Sequence, residues 1–187
     1  NEQNNILFYK DNAVQEYDTE TNLVVNSYNI NASNSFSTFN DFLYTFQEDT
    51  IYRYSLTQLE NNQTTWAQSD DFINAKKMQI AYSIYVLTND NNILKYTTGR
   101  PDEFEINGID IDTKEINDFV VKPDFDNIYI SDPLNNRVVV VDTQGDYVKQ
   151  FKYVDNIGFN NIKSIAVTDD ESTLFVLNNN VIYEIAL

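Results

Sequence analysis

The residues best equipped for chemistry in this 187-residue chain crowd one turn, "DPLNNR" at 132–137. It offers a carboxylate (Asp132), two amides (Asn135, Asn136) and a guanidinium (Arg137). Such a set can hold a peptide or a small polar ligand through charge-assisted hydrogen bonds. The plainer role is internal, with Asp accepting from turn amides while Arg braces a neighbouring element, and it carries the greater weight. A second stretch, "GIDIDTKE" (108–115), alternates Asp110 and Asp112 along an extended segment and adds Glu115 if the chain turns. Hard cations such as Ca²⁺ take about six to eight oxygen ligands. The spacing matches no EF-hand loop, so Asp110 and Asp112 are weak metal candidates beside the reading of a solvated connection. Trp66, the single Trp, is the one aromatic flagged as a stacking platform for a sugar or peptide.

Composition removes most other chemistry. There is no Cys and no His, which excludes disulfides, thiolate nucleophiles, Ser-His-Asp triads and His-containing zinc sites. Carboxylate catalysis is the enzyme class that survives, and a glycosidase needs two acids about 5–10 Å apart. No cofactor is expected. The net charge of −17 repels phosphate backbones and anionic membranes, so nucleic-acid binding is not expected, and a basic partner fits better. No apolar run approaches the roughly 20 residues of a membrane helix. The chain does not begin with Met and shows no signal peptide, so it reads as a processed mature protein or an excised domain, with room upstream for a targeting segment or a membrane anchor.

The elements that must position these residues repeat. "LFYKDNAVQEYD" (7–18), "LYTFQEDTIYRYS" (43–55), "IYVLTNDNNILKY" (84–96), "IYISDPLNNRVVVVD" (128–142) and "LFVLNNNVIYEI" (174–185) are each two strand-like runs joined by a polar turn. Their opening aromatics, Phe8, Tyr44, Tyr85, Tyr129 and Phe175, are spaced by 36, 41, 44 and 46 residues. That period is the length of a four-stranded propeller blade. Apolar runs before and after the hairpins supply a first and a fourth strand, and nothing sustains helical periodicity. Asn in the turns (Asn91, Asn92, Asn135, Asn136, Asn178, Asn180) is expected to do the backbone work of Gly, of which the chain has four. The prediction is one all-β domain over 1–187, a propeller of about five four-stranded units with incomplete terminal units. The alternative is part of a six-bladed propeller lacking an N-terminal blade. The five opening aromatics are expected at equivalent buried positions, and Trp66 near the edge.

The fourth unit, Asn127–Phe151, resembles an NHL-type propeller repeat. The matching positions are Tyr129, Asp132, Asn136, Arg137, Asp142 and Gly145; the third unit keeps Tyr85, Asn92, Tyr96 and Gly99, and the others keep the apolar skeleton. More distantly, the chain is similar to propeller-like extracytoplasmic segments of membrane-anchored bacterial proteins. The resemblance implies a non-catalytic binding, sensing or scaffold module with a protein or peptide partner, outside the cytoplasm or at the cell surface. The competing readings are a carboxylate-dependent glycan-processing enzyme and a structural surface subunit.

Overall fold

The computed structural model describes residues 5–32, 35–59, 62–110, 115–153 and 158–187. Their strands form five antiparallel sheets of consecutive strands. The chain divides into two compact units, Asn1–Lys76 and Lys77–Leu187.

In the first unit, Asn5–Lys10 (β1), Ala13–Asp18 (β2) and Leu23–Tyr28 (β3) make a three-stranded blade. Phe36–Phe39 (β4), Phe42–Gln47 (β5), Thr50–Ser55 (β6) and Thr64–Gln68 (β7) make a four-stranded one. Val14 of the first blade packs with Leu43, Tyr54 and Leu59 of the second, and Leu7 and Tyr9 lie against that cluster.

The division falls inside Ala75–Ala81 (β8), which pairs with Ser83–Thr88 (β9), followed by Ile93–Thr97 (β10) and Arg100–Asp102 (β11). The fourth blade is Phe119–Val120 (β12), Asn127–Asp132 (β13), Arg137–Asp142 (β14) and Tyr147–Lys152 (β15). The fifth is Ile162–Val167 (β16), Thr173–Asn178 (β17) and Val181–Ala186 (β18). Matched by their hairpins, among the described residues the first blade shows no first strand of a full blade and the fifth no fourth. The expected incompleteness of both terminal units is thus seen.

Period-two alternation decides which side chains meet the next blade. In β13, Ile128 and Ile130 face the third blade with Val139 and Val141, while Tyr129 faces the fifth with Val138 and Val140. Tyr44, Tyr85 and Tyr129 are buried as expected. Phe8 and Phe175 are only half-buried, which corrects the expectation that all five are buried, and Phe8 alone lies on the other face of its strand. In the first blade Leu7 and Tyr9 pack towards the second, so Phe8 between them points to the opposite face. One residue of register reverses a strand's faces. In the fifth blade Leu174 and Val176 meet the fourth, and Phe175 lies on the far face.

Turn chemistry follows the Asn content. Six of the twelve non-glycine residues with positive φ are Asn among the described residues, including Asn91, Asn136 and Asn179. Asn reaches this left-handed region more readily than other side chains because its amide bonds locally.

Candidate functional site

The turn between β13 and β14 is built around a buried ion pair. Pro133–Asn135 form a short 3-10 turn, and Asn136 closes it in the left-handed conformation (φ 52°, ψ 48°). Across the turn Arg137 Nε donates to Asp132 Oδ2 at 2.5 Å, with both side chains almost wholly removed from solvent. Asn135 Nδ2 donates to both Asp132 carboxylate oxygens at 3.0 Å. The other guanidinium nitrogens of Arg137 donate to Gln150 Oε1 at 3.0 Å and to the Asp110 carbonyl. Each guanidinium nitrogen is therefore engaged inside the protein. Breaking such a pair leaves an uncompensated buried charge, so the turn is held in one geometry. What it displays is Leu134, 45% exposed, and the exposed Asn135.

The structure brings Asp132, Asn135 and Arg137 together. It does not bring the others into the same chemistry. Asn136 serves through its backbone, Asp110 through its carbonyl, and Asp112 lies outside the described residues. No group of three acids converges as a metal site requires among the described residues. Trp66 lies in the first unit on β7, half-buried, with its ring edge-to-face on Tyr44 (6.0 Å between centroids, 88°).

The outer turn of the fourth blade explains Gly145. It has φ +96°, and a Cβ there would lie 2.0 Å from the Glu105 carbonyl oxygen. Asn107 N donates to the Gly145 carbonyl at 2.9 Å, and Tyr147 N donates to the Asn107 carbonyl at 3.0 Å. The segment leaving β11 thus docks on this turn as closely as a missing side chain allows.

Sequence reasoning passed over Asp118. This carboxylate, just before β12, is almost fully buried. It accepts from Lys77 Nζ, from Ser164 Oγ at 2.5 Å, and from the backbone of Ile165 and Phe119 at 2.9 Å each. It therefore ties the third, fourth and fifth blades together at their first strands. The signal was present in "INDFVV", where one acid precedes an apolar run, but its donors come from distant segments. Asp118 is clamped by an ammonium and three further donors, which suits bracing. Elsewhere, hydrogen bonds hold the carboxyl pKa values of Glu16 (chiefly Asn26), Asp49 (Gln68) and Asp102 (Thr97) below their usual range.

No protein-family model and no curated protein matches the sequence. Solved structures do. The chain is similar to the Dos1 propeller, with 14% identity over 93% of this chain and 47% of that one and a TM-score of 0.58. The chain folds as a β-propeller. The propeller is also similar to PorZ, an essential surface component of the type-IX secretion system of Porphyromonas gingivalis (13% identity, 98% and 26% covered, TM-score 0.59). A third similar structure is catalytically inactive virginiamycin B lyase from Staphylococcus aureus with quinupristin (12% identity, 98% and 66% covered, TM-score 0.60). The chain spans less than two thirds of the length of each of these three structures. They include a surface component and a lyase, so the shared propeller does not select a function.

Proposed function

We propose that this propeller is a non-catalytic binding or scaffold module for a protein or peptide partner, using its hairpin tips. The observation that carries the reading is the tip Leu134–Asn135, an exposed apolar side chain and amide fixed from beneath by the Asp132–Arg137 pair. Preorganised contacts bind well because little freedom is lost on association. The sequence candidates Asp132 and Arg137 thereby become the support, and Leu134 the contact.

In the same reading the repeats are of NHL type, best expressed in Asn127–Phe151, and the protein works outside the cytoplasm or at the cell surface. The similarity to PorZ, a bacterial surface component, supports that placement. The charge of −17 favours a basic partner whose affinity falls as salt rises. The test compares wild type, Leu134→Ser and Arg137→Lys as immobilised baits. A salt-sensitive partner held by wild type and lost by Leu134→Ser at unchanged Tm supports the proposal. Equal retention by Leu134→Ser overturns the contact, and turnover of a glycan panel abolished by one Asp→Asn change overturns the non-catalytic role.

A further inference from the structure

Within the first unit, a cleft of about 650 Å³ opens between the first two blades. Its size falls in the usual range for ligand pockets, about 300–1,000 Å³. Tyr9, Asn12, Asn31, Gln47, Tyr54 and Gln63 line it, and none of the described lining residues is ionised at neutral pH. Ile30 and Leu59, both buried, form its apolar floor. By contrast, the cleft lined by Ile93, Leu94 and Phe104 also carries Glu105 and Asp110.

Three of the four hydrogen-bond distances given among the cleft's polar groups are long. Tyr9 Oη lies 3.5 Å from Asn12 Oδ1 and 3.4 Å from Asn31 Oδ1, so its single proton has two alternative acceptors, both at the long limit for a hydrogen bond. Gln47 Nε2 donates to Tyr54 Oη at 2.9 Å and to the Asn31 carbonyl at 3.5 Å. Long bonds of this kind are readily exchanged for bonds to a ligand. Burial, foremost, raises the Tyr54 hydroxyl's pKa, keeping it a neutral donor.

We propose that this cleft binds a short neutral oligosaccharide. Each amide side chain presents a donor and an acceptor side by side, which matches a pair of adjacent sugar hydroxyls. The Tyr rings and the Ile30–Leu59 floor meet the apolar face of a sugar ring. A phosphorylated, carboxylated or cationic ligand finds no opposite charge among the described lining residues. An extended peptide would need a row of side-chain pockets, and the floor supplies two aliphatic groups. None of the described lining residues is a carboxylate, and the role proposed for the cleft is to hold the saccharide. This site is independent of the blade-four tip.

Ligand-observed NMR and calorimetry on the whole chain would use maltotriose, cellotriose and chitotriose, with trigalacturonate and a neutral Gly-Ser peptide as comparators. At least one neutral trisaccharide is expected to bind. Its Kd should weaken about tenfold or more in Gln47→Ala/Gln63→Ala at unchanged Tm. Gln63→Ala alone, at an exposed position, gives a smaller loss of the same sign if the double variant is destabilised. Failure of all three sugars to bind at about 10 mM overturns the proposal. So does affinity unchanged in the variants, or equal or tighter binding of trigalacturonate or the peptide.

Discussion

The hairpins of the fourth and fifth blades occupy the same place in consecutive repeats, yet they are held in different ways. In the fourth, β13 and β14 are buried on both faces, towards the third blade on one side and the fifth on the other. In the fifth, Leu174 and Val176 are buried against the fourth blade, while Ile182 on the far face is 67% exposed. The turns differ too. The fourth blade's is locked by the buried Asp132–Arg137 pair, whereas the fifth's uses Asn179 at φ 54°, with its amide bonded to Asn161 and Asn160. The repeat sets the path of the chain, and the neighbours on each face set how tightly any one hairpin is determined. A strand buried on both faces needs a continuous apolar run, as in "RVVVV", while one-sided burial lets "VIYEIA" carry a Glu.

The largest difference is expected at the two turns. Arg137→Ala strands the Asp132 carboxylate in the interior and should cost about 3–5 kcal/mol in urea unfolding. No removal of charge is available in the fifth turn, so Asn179→Ala should cost far less. A loss below about 1 kcal/mol for Arg137→Ala would mean that water reaches Asp132, and the contrast between the turns would collapse.

Next come the opening aromatics. Tyr129→Ala should cost about 3–5 kcal/mol, the range for large buried aromatics, and Phe175→Ala roughly half as much because its face is half open. Equal losses would show that the fifth blade's far face is as well packed as the fourth blade's. Trp66→Ala should rank with Phe175→Ala, since both rings are half-buried.

These contrasts mark how far the sequence alone reaches. The five hairpins, their period, the incomplete terminal blades and the left-handed Asn turns follow from local pattern, because spacing and turn chemistry are local properties. The facing of Phe8 was not legible, since β1 alternates Leu7, Phe8 and Tyr9 with no polar residue to mark the outer face. Asp118 escaped for another reason: Lys77, Ser164 and Ile165 reach it only once three blades are stacked. The cleft's lining is likewise gathered from five separate stretches between Tyr9 and Gln63. In "DPLNNR" the residue types pointed to the right turn but not to the exposed member, because inward and outward orientation there depends on the segment carrying Asp110.

A titration separates the same two blades with a gentler perturbation. The Tyr129 pKa is raised, first by burial and then by the hydrogen bond its hydroxyl gives to Glu171 Oε1 at 3.0 Å. A free Tyr in the unfolded chain titrates near pH 10. Below that pH both states are protonated and the stabilisation is fully present. Above it the unfolded state ionises first, so stability falls as pH rises towards the raised folded value. Stability measured from pH 9 to 11 should therefore decline, and Tyr129→Phe should flatten the decline. Glu171 keeps Asp126 N and Asn127 Nδ2 as donors in that variant, so the carboxylate is not left bare. A slope unchanged by Tyr129→Phe would assign the alkaline loss to other groups.

The smallest effect tests what Asn does in each turn. Asn136 and Asn179 share the left-handed conformation, at φ 52° and 54°. Gly reaches that region without a Cβ clash, whereas Ala meets a penalty of about 1–2 kcal/mol. If backbone geometry alone explains Asn136, then Asn136→Gly should change stability by only a few tenths of a kcal/mol and Asn136→Ala by about 1 kcal/mol. Asn179 has a second task, because its amide is bonded to Asn161 and Asn160. Asn179→Gly should therefore lose somewhat more than Asn136→Gly, by the modest net worth of exposed amide bonds, about 0.5 kcal/mol. The order reverses only if the side chain of Asn136 contributes more to the braced turn than its backbone does. In that case the ion pair and Asn135 would not suffice to hold the tip, and the rigidity assigned to Asp132 and Arg137 would have to be shared with Asn136.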